Sequence, residues 1–114
     1  MRPERLYLSD IVEAAAAIAK FLDGVQEQEF LENDLLRSAA LQKLTVIGEA
    51  AARLSAEFCE GHPGIPWRDI VGFRNIAIHA YFAVEWPIVW VAATEEAPAL
   101  GMQVAEILAR EFGE

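Results

Sequence analysis

The chain has 114 residues and carries 18 acidic against 9 basic side chains, for a formal net charge of −9. Its 54% content of hydrophobic residues predicts a folded protein, and its length favours a single domain over residues 1–114. The acidity argues against broad, non-specific nucleic-acid binding, which depends on neutralising phosphates with Lys and Arg, so any RNA or DNA contact is expected at a local cleft with its own positive charge.

The single cysteine, Cys59, has no partner for an intrachain disulfide, which favours a reducing, cytoplasmic setting. The first ten residues carry charges instead of the apolar core of a signal peptide. Charges or prolines interrupt each apolar segment before it reaches membrane-spanning length. We therefore expect a cytoplasmic protein without a membrane partner.

The first predicted helix runs from Pro3 to Leu22. Pro3 suits a first helical turn, and Gly24 suits the position after the last one. Its apolar stripe consists of Leu8, Ile11, Val12, Ala15, Ile18 and Leu22. The alanine run 14–17 is small enough to let a neighbouring helix approach closely, and a polar connector, 25–32, follows.

The second predicted helix runs from Leu35 to about Glu60, with Asn33 or Asp34 as its N-cap. Its apolar stripe includes Leu44, Ile47, Ala51, Leu54 and Phe58. Glu49 and Arg53 are four residues apart, in the favourable order for an exposed ion pair. Two interpretations stay open: the pair belongs to a solvated charged face, or one of its members borders a functional site.

A turn dense in glycine and proline, 61–66, separates this helix from the next. His62 follows the end of the second predicted helix, where the helix dipole tolerates a cation. Pro66 suits the first turn of the third helix.

The third predicted helix carries the stretch Trp67–Phe82. Its core-facing stripe is predicted to consist of Ile70, Phe73, Ile76, Ala77 and Ala80. Asn75 and His79 are four residues apart, so they lie one above the other on the opposite side. Val71 and Ile78 flank them, which predicts that another helix or a second protomer covers this face.

The last helical region is predicted over Val84–Phe112. Pro87 suits its first turn, but Pro98 falls in its interior and should kink or break it. Its packed stripe is predicted to include Trp86, Trp90, Ala93, Ala105, Leu108 and Phe112. Four long helices with short connections predict an all-α fold, an antiparallel bundle of four to five helices.

Core packing does not explain Arg74, Asn75, His79 and Tyr81. Histidine can act as general acid or base near neutral pH, and the arginine fork matches phosphate oxygens. RNA supplies its own nucleophile, the 2′-hydroxyl, so such a pair suits phosphoryl transfer without a metal. No spacing of Cys, His or carboxylates matches a metal site, no glycine loop suits a phosphate, and we expect no cofactor.

The spacing of Arg74 and His79 adds a geometric constraint. The two residues are five apart and diverge by about 140° around an ideal helix. Either long side chains and a fraying helix end bring them to one phosphate, or two chains related by a two-fold axis contribute jointly.

The stretch 74–81, RNIAIHAY, resembles the Arg-four-His-one-Tyr signature of HepT-like toxins in the HEPN (higher eukaryotes and prokaryotes nucleotide-binding) superfamily. The segments ERLYLSDIVEA, IGEAAARLS and HPGIPWRDIVGFRNIAIHAYF also resemble the family in order and spacing. The resemblance implies a helical bundle that forms a two-fold dimer and acts as a metal-independent endoribonuclease. Arg74 would stabilise the phosphate, His79 would be the acid–base residue and Asn75 would support the site.

The resemblance also implies a partner, a small nucleotidyltransferase antitoxin of the MNT type, in a type II-like toxin–antitoxin system. In this family the antitoxin can transfer AMP from ATP to the signature tyrosine, here Tyr81, and the added charge and bulk should keep RNA out. A second hypothesis is a non-catalytic helical dimer that binds a nucleotidyltransferase and is modified by it or regulates it.

Overall fold

The computed structural model describes residues 2–79 and 85–114, and for residues 77–79 it describes the backbone alone. Within these residues every regular element is helical, which confirms the predicted all-α fold. The elements are α1 (Glu4–Phe21), α2 (Glu27–Glu32), α3 (Asp34–Ala52), α4 (Ala56–Glu60), α5 (Trp67–His79), α6 (Trp86–Val91), a π-helical turn (Ala92–Glu96) and α7 (Ala97–Phe112).

The bundle is organised around α1 and α3. Helix α3 packs against both α1 and α5, and α1 also packs against α7. The largest side chains that are fully buried are Phe30, Leu8, Ile11, Ile18, Leu44, Ile47, Val89 and Val104. In the described part of the chain, no helix combines the length and the apolar character needed to cross a membrane.

The bounds and the buried face of α1 agree with the sequence prediction. The helix spans Glu4–Phe21 with Pro3 just before it, and its buried residues include the predicted Leu8, Ile11 and Ile18. An ideal Cβ at Gly101 of α7 would lie 2.9 Å from the Cβ of Ala15, so the two helices approach as closely as the alanine run allows.

The prediction of a connector over 25–32 is corrected, because all but its first two residues form the short helix α2. Phe30 is fully buried and its ring centroid lies 5.2 Å from that of Trp90. Arg37 Nη1 donates a hydrogen bond of 2.6 Å to the carbonyl of Leu31 near the end of α2. Tertiary contacts of an aromatic anchor therefore override the polar composition of the segment.

The second predicted helix is also corrected, because it ends at Ala52 and does not continue to Glu60. Its start agrees: Asn33 Oδ1 accepts a hydrogen bond of 3.0 Å from the backbone N–H of Leu36. Ser55 is the N-cap of α4, and its Oγ accepts a hydrogen bond from the backbone N–H of Phe58. The carboxylate of Glu4 accepts a hydrogen bond of 2.6 Å from the backbone N–H of Ser55. These two side chains satisfy the backbone where the helix is interrupted.

The break predicted at Pro98 takes the form of the π-helical turn Ala92–Glu96. A proline ring clashes with the carbonyl four residues earlier, and the wider π turn relieves such a clash. The predicted Ala105 and Phe112 prove exposed, which corrects the last stripe. They lie about 100° and 80° around the helix from the buried Val104, outside the stripe that faces α1. The buried residues of α7 are Ala97, Leu100, Val104, Ile107 and Leu108.

Candidate functional site

Helix α5 is fixed at its start by Trp67. The indole is buried, and its Nε1 donates a hydrogen bond of 3.1 Å to the carbonyl of His62. Ile70 and Phe73 are buried and Asn75 is exposed, which confirms the two-sided pattern over these positions. Ile76, also in the predicted stripe, is partly buried and packs against the core. For the other two members, the side chain of Ala77 and the whole of Ala80 lie outside the described part of the chain.

A close helix crossing places Arg74. An ideal Cβ at Gly48 of α3 would lie 2.5 Å from the backbone nitrogen of Arg74 and 3.1 Å from the carbonyl oxygen of Val71. Both of these are backbone atoms, so they cannot move aside like the end of a flexible side chain. Only glycine at position 48 allows α5 to approach α3 this closely, and the approach sets Arg74 beside the next residue of α3, Glu49.

Arg74 and Glu49 form an ion pair across these two helices. Arg74 Nη1 lies 3.8 Å from Glu49 Oε1, and the two side chains are 36% and 43% exposed. In the described part of the chain, Arg53 is exposed and forms no ion pair, so the carboxylate of Glu49 is joined to Arg74 and not to Arg53. Glu49 therefore contacts Arg74, and both interpretations of its role stay predictions.

A groove of about 580 Å³ runs between α1 and α3 beside this pair. Its apolar lining includes Leu41, Val46 and Ala50. Glu49 and Arg53 also line it, so the groove continues directly from the ion pair. Arg53 therefore lies on the Glu49 side of the candidate site, as an exposed cation.

The remaining predicted site residues lie at or beyond the end of α5. His79 is the last residue of the helix, and its side chain is outside the description, as is the whole of Tyr81. Asn75 lies one turn before His79 and is exposed. The roles predicted for these three residues stay predictions.

A second cluster of titratable groups surrounds His62. Its Nε2 lies 2.7 Å from Glu111 Oε2 and its Nδ1 lies 2.9 Å from the carbonyl oxygen of Phe58. The hydrogen bond with Glu111, and next the one with the Phe58 carbonyl, raise the pKa of His62. The hydrogen bond between His62 and Glu111 also lowers the pKa of Glu111. The contact with the carbonyl of Phe58, in the last turn of α4, confirms that His62 lies at a helix C-terminus, but Glu111 is 49 residues away and no local sequence signal predicts it.

Comparison with known proteins gives consistent matches over nearly the whole chain. The family model described as Ribonuclease HepT-like matches residues 11–107. A protein of Caldanaerobacter subterraneus subsp. tengcongensis named "Putative RNase" is 36% identical over 111 residues, which are 97% of this chain and 99% of that protein.

Two archaeal relatives match similarly. A "Putative RNase" of Methanocaldococcus jannaschii is 34% identical over 103 residues, 90% of this chain and 94% of that protein. A "Probable ribonuclease HepT" of Thermococcus cleftensis is 35% identical over 99 residues, 87% of this chain and 90% of that protein. No solved structure matches the chain.

Proposed function

The chain belongs to the HepT-like ribonuclease family, and on that premise we propose that it is a metal-independent endoribonuclease with Arg74 and His79 at its catalytic site. The observation that carries the proposal is the complete Arg-four-His signature inside the matched residues, on a helix that leaves Arg74 half exposed instead of using it in the core. A guanidinium in this position can reach a phosphate from solvent.

The chemistry follows from what each side chain can do. His79 takes the proton of the 2′-hydroxyl, whose oxygen attacks the adjacent phosphorus. The bond from phosphorus to the 5′-oxygen breaks, and a proton is returned to that leaving oxygen. Arg74 stabilises the negative charge that develops on the phosphoryl oxygens. The products are a 2′,3′-cyclic phosphate and a 5′-hydroxyl.

Glu49 supports the site as a positioning residue. A half-exposed ion pair contributes between about 0 and 1 kcal/mol, so it orients Arg74 without holding it tightly. An RNA phosphate, which can accept two parallel hydrogen bonds from the guanidinium, can then replace the carboxylate. Asn75 and Arg53 support the same site from α5 and α3.

We further propose that two copies of the chain form a two-fold dimer with both pairs of Arg74 and His79 at one cleft. Two residues five apart on a helix diverge by about 140°, so one straight helix does not direct both side chains at the same phosphate. In a two-fold dimer, Arg74 and His79 from both chains can act on it jointly. Cations concentrated at such a cleft would also offset, locally, the net charge of −9.

Regulation is proposed at Tyr81, by a nucleotidyltransferase antitoxin of the MNT type in the cytoplasm. The tyrosine oxygen attacks the α-phosphorus of ATP, pyrophosphate leaves and AMP remains esterified to Tyr81. Two residues from His79, this group would exclude RNA by charge and bulk. Intact-mass measurement after incubation with ATP and the nucleotidyltransferase, with Tyr81→Phe as the control, tests this step.

The proposed reaction is tested on two matched oligonucleotides in EDTA, one of RNA and one with 2′-deoxyribose throughout. We expect the unmodified chain to cleave the RNA, to leave 2′,3′-cyclic phosphate ends and to leave the deoxy substrate intact. Cleavage that disappears in EDTA and returns with a divalent cation would contradict the proposal, as would products with a free 3′-hydroxyl.

A further inference from the structure

One face of α5 is open along much of its length. Arg68, Gly72, Asn75 and His79 follow one another at spacings of four, three and four, which places them on a single face of the helix. Arg68 and Asn75 are exposed. The face therefore presents a cation, a position without a side chain and an amide before it reaches the predicted acid–base residue.

Arg68 and Arg53 differ from the other arginines of this acidic chain, because neither forms an ion pair among the described residues. The others are paired with carboxylates: Arg2 with Asp10, Arg5 with Glu114, Arg37 with Asp34, Arg74 with Glu49 and Arg110 with Glu111. Among the described residues, Arg68 forms neither an ion pair nor a hydrogen bond. Asp69 is next to it in the sequence but lies about 100° around the helix. The guanidinium of Arg68 is thus free to bind an anion from outside the chain.

Gly72 has no packing reason within the described residues. An ideal Cβ there would meet nothing within 4 Å, in contrast to Gly48, where a Cβ would strike the backbone of α5. Glycine inside a helix is less stable than alanine, so its presence at an open position favours close approach by another molecule. Val71, the apolar neighbour, packs against the core of its own chain and does not make this face an apolar one.

We propose that this open face, Arg68–Gly72–Asn75, binds the sugar–phosphate backbone of single-stranded RNA and leads it to His79. The inference rests on the proposed function and adds a binding site to it. Arg68 and His79 are separated by about 16 Å along the helix axis. At that distance Arg68 contacts a phosphate other than the scissile one.

The test measures RNA binding without cleavage. All variants are made in a His79→Ala background, and the Kd for a single-stranded RNA is measured by fluorescence anisotropy at several salt concentrations. Arg68→Gln is compared with Lys20→Gln, which removes another exposed cation, from the last turn of α1. We expect Arg68→Gln to weaken binding about tenfold, the effect of one charge-assisted hydrogen bond. It should also lower the slope of log Kd against log salt by about 0.7.

Lys20→Gln is expected to leave both the Kd and the salt slope as they are in the parent. Gly72→Ala supplies an independent readout, because it should raise the melting temperature and yet weaken RNA binding. Equal Kd and salt slope for the Arg68→Gln and Lys20→Gln variants would overturn the inference, and so would unchanged binding by Gly72→Ala.

Two further outcomes separate this inference from others. A dimer that becomes a monomer on Gly72→Ala substitution, with RNA binding otherwise intact, would show that the open face binds a second copy of the chain and not RNA. A parent chain that neither binds nor cleaves RNA would overturn the proposed function itself, whereas cleavage unaffected by Arg68→Gln and Gly72→Ala would overturn only the open-face site.

Discussion

The ion pair of Arg74 and Glu49 is an exposed contact between α3 and α5 beside the proposed site. The carboxylate partly neutralises the guanidinium and holds it at the crossing of α3 and α5. Since both side chains remain more than a third exposed, water already screens the pair and a phosphate can reach it. The sequence predicted Arg74 from its signature, but its spacing favoured Arg53 as the partner of Glu49, and the structure pairs Glu49 with Arg74. This pairing depends on how two helices cross, which residue spacing within one helix does not determine.

His62 gives a prediction about pH at the scale of one residue. Its two ring nitrogens face acceptors, the Phe58 carbonyl and the Glu111 carboxylate, so both bonds form only when both nitrogens carry protons. These bonds raise the pKa of folded His62, although nearby Arg110 acts in the opposite direction. The stabilisation is therefore complete below the unfolded pKa, about 6.5, and is lost as the pH rises through the folded pKa.

The measurement is the melting temperature of the parent and of His62→Gln from about pH 6 to pH 8, where Glu111 stays ionised because its pKa is lowered. We expect the parent to lose stability over this range relative to the variant, whose neutral amide does not titrate. Parallel curves for the two proteins would show that this histidine does not contribute a charged contact.

At the scale of the elements, the helices that local signals define were predictable and those that long-range contacts define were not. Helix α1 begins after Pro3 as expected. The interruption at Ser55 was missed because Leu54 and Phe58 continue the apolar stripe across it and are still buried. Helix α2 forms around Phe30, whose aromatic partners lie in α6, more than 50 residues later. Such partners give no signal within a short window of sequence.

The crossing of α3 and α5 makes a prediction for Gly48→Ala. The new Cβ would press on the backbone of Arg74 and Val71, so α5 has to shift. Overpacking costs about 1–3 kcal/mol, and a Cβ 2.5 Å from a backbone atom belongs in the upper part of that range, above the ~1 kcal/mol that alanine gains from helix propensity. We expect a lower free energy of unfolding in urea and a lower kcat for RNA, since Arg74 moves with the helix.

Gly72→Ala is the matched control for stability, because it adds the same methyl group to the facing helix in open space. It should increase the free energy of unfolding by about 0.8–1 kcal/mol. If both alanine variants proved equally stable, the close crossing at Gly48 would not determine the position of α5.

At the scale of the whole molecule, the central tension is between a net charge of −9 and an RNA substrate. The structure pairs Arg74 of α5 with Glu49, places the exposed Arg53 in the groove that Glu49 also lines, and leaves Arg68 unpaired on α5 among the described residues. A few cations in one place can bind a strand that the rest of the surface repels. Selective binding of this kind is the expected behaviour of the chain, and low affinity for bulk nucleic acid is its consequence.

The most direct test of the account is RNA cleavage in EDTA by the purified chain beside its His79→Ala and Arg74→Ala variants. All three proteins are first compared by melting temperature and by sedimentation, and the mass of each confirms that Tyr81 carries no AMP. We predict cleavage by the parent and a loss of at least about 100-fold in kcat for each variant, because acid–base catalysis and charge stabilisation each contribute on that scale. Retained activity in either variant, or no cleavage by an unmodified parent dimer, would contradict the account, and the second result would favour a non-catalytic partner of the nucleotidyltransferase.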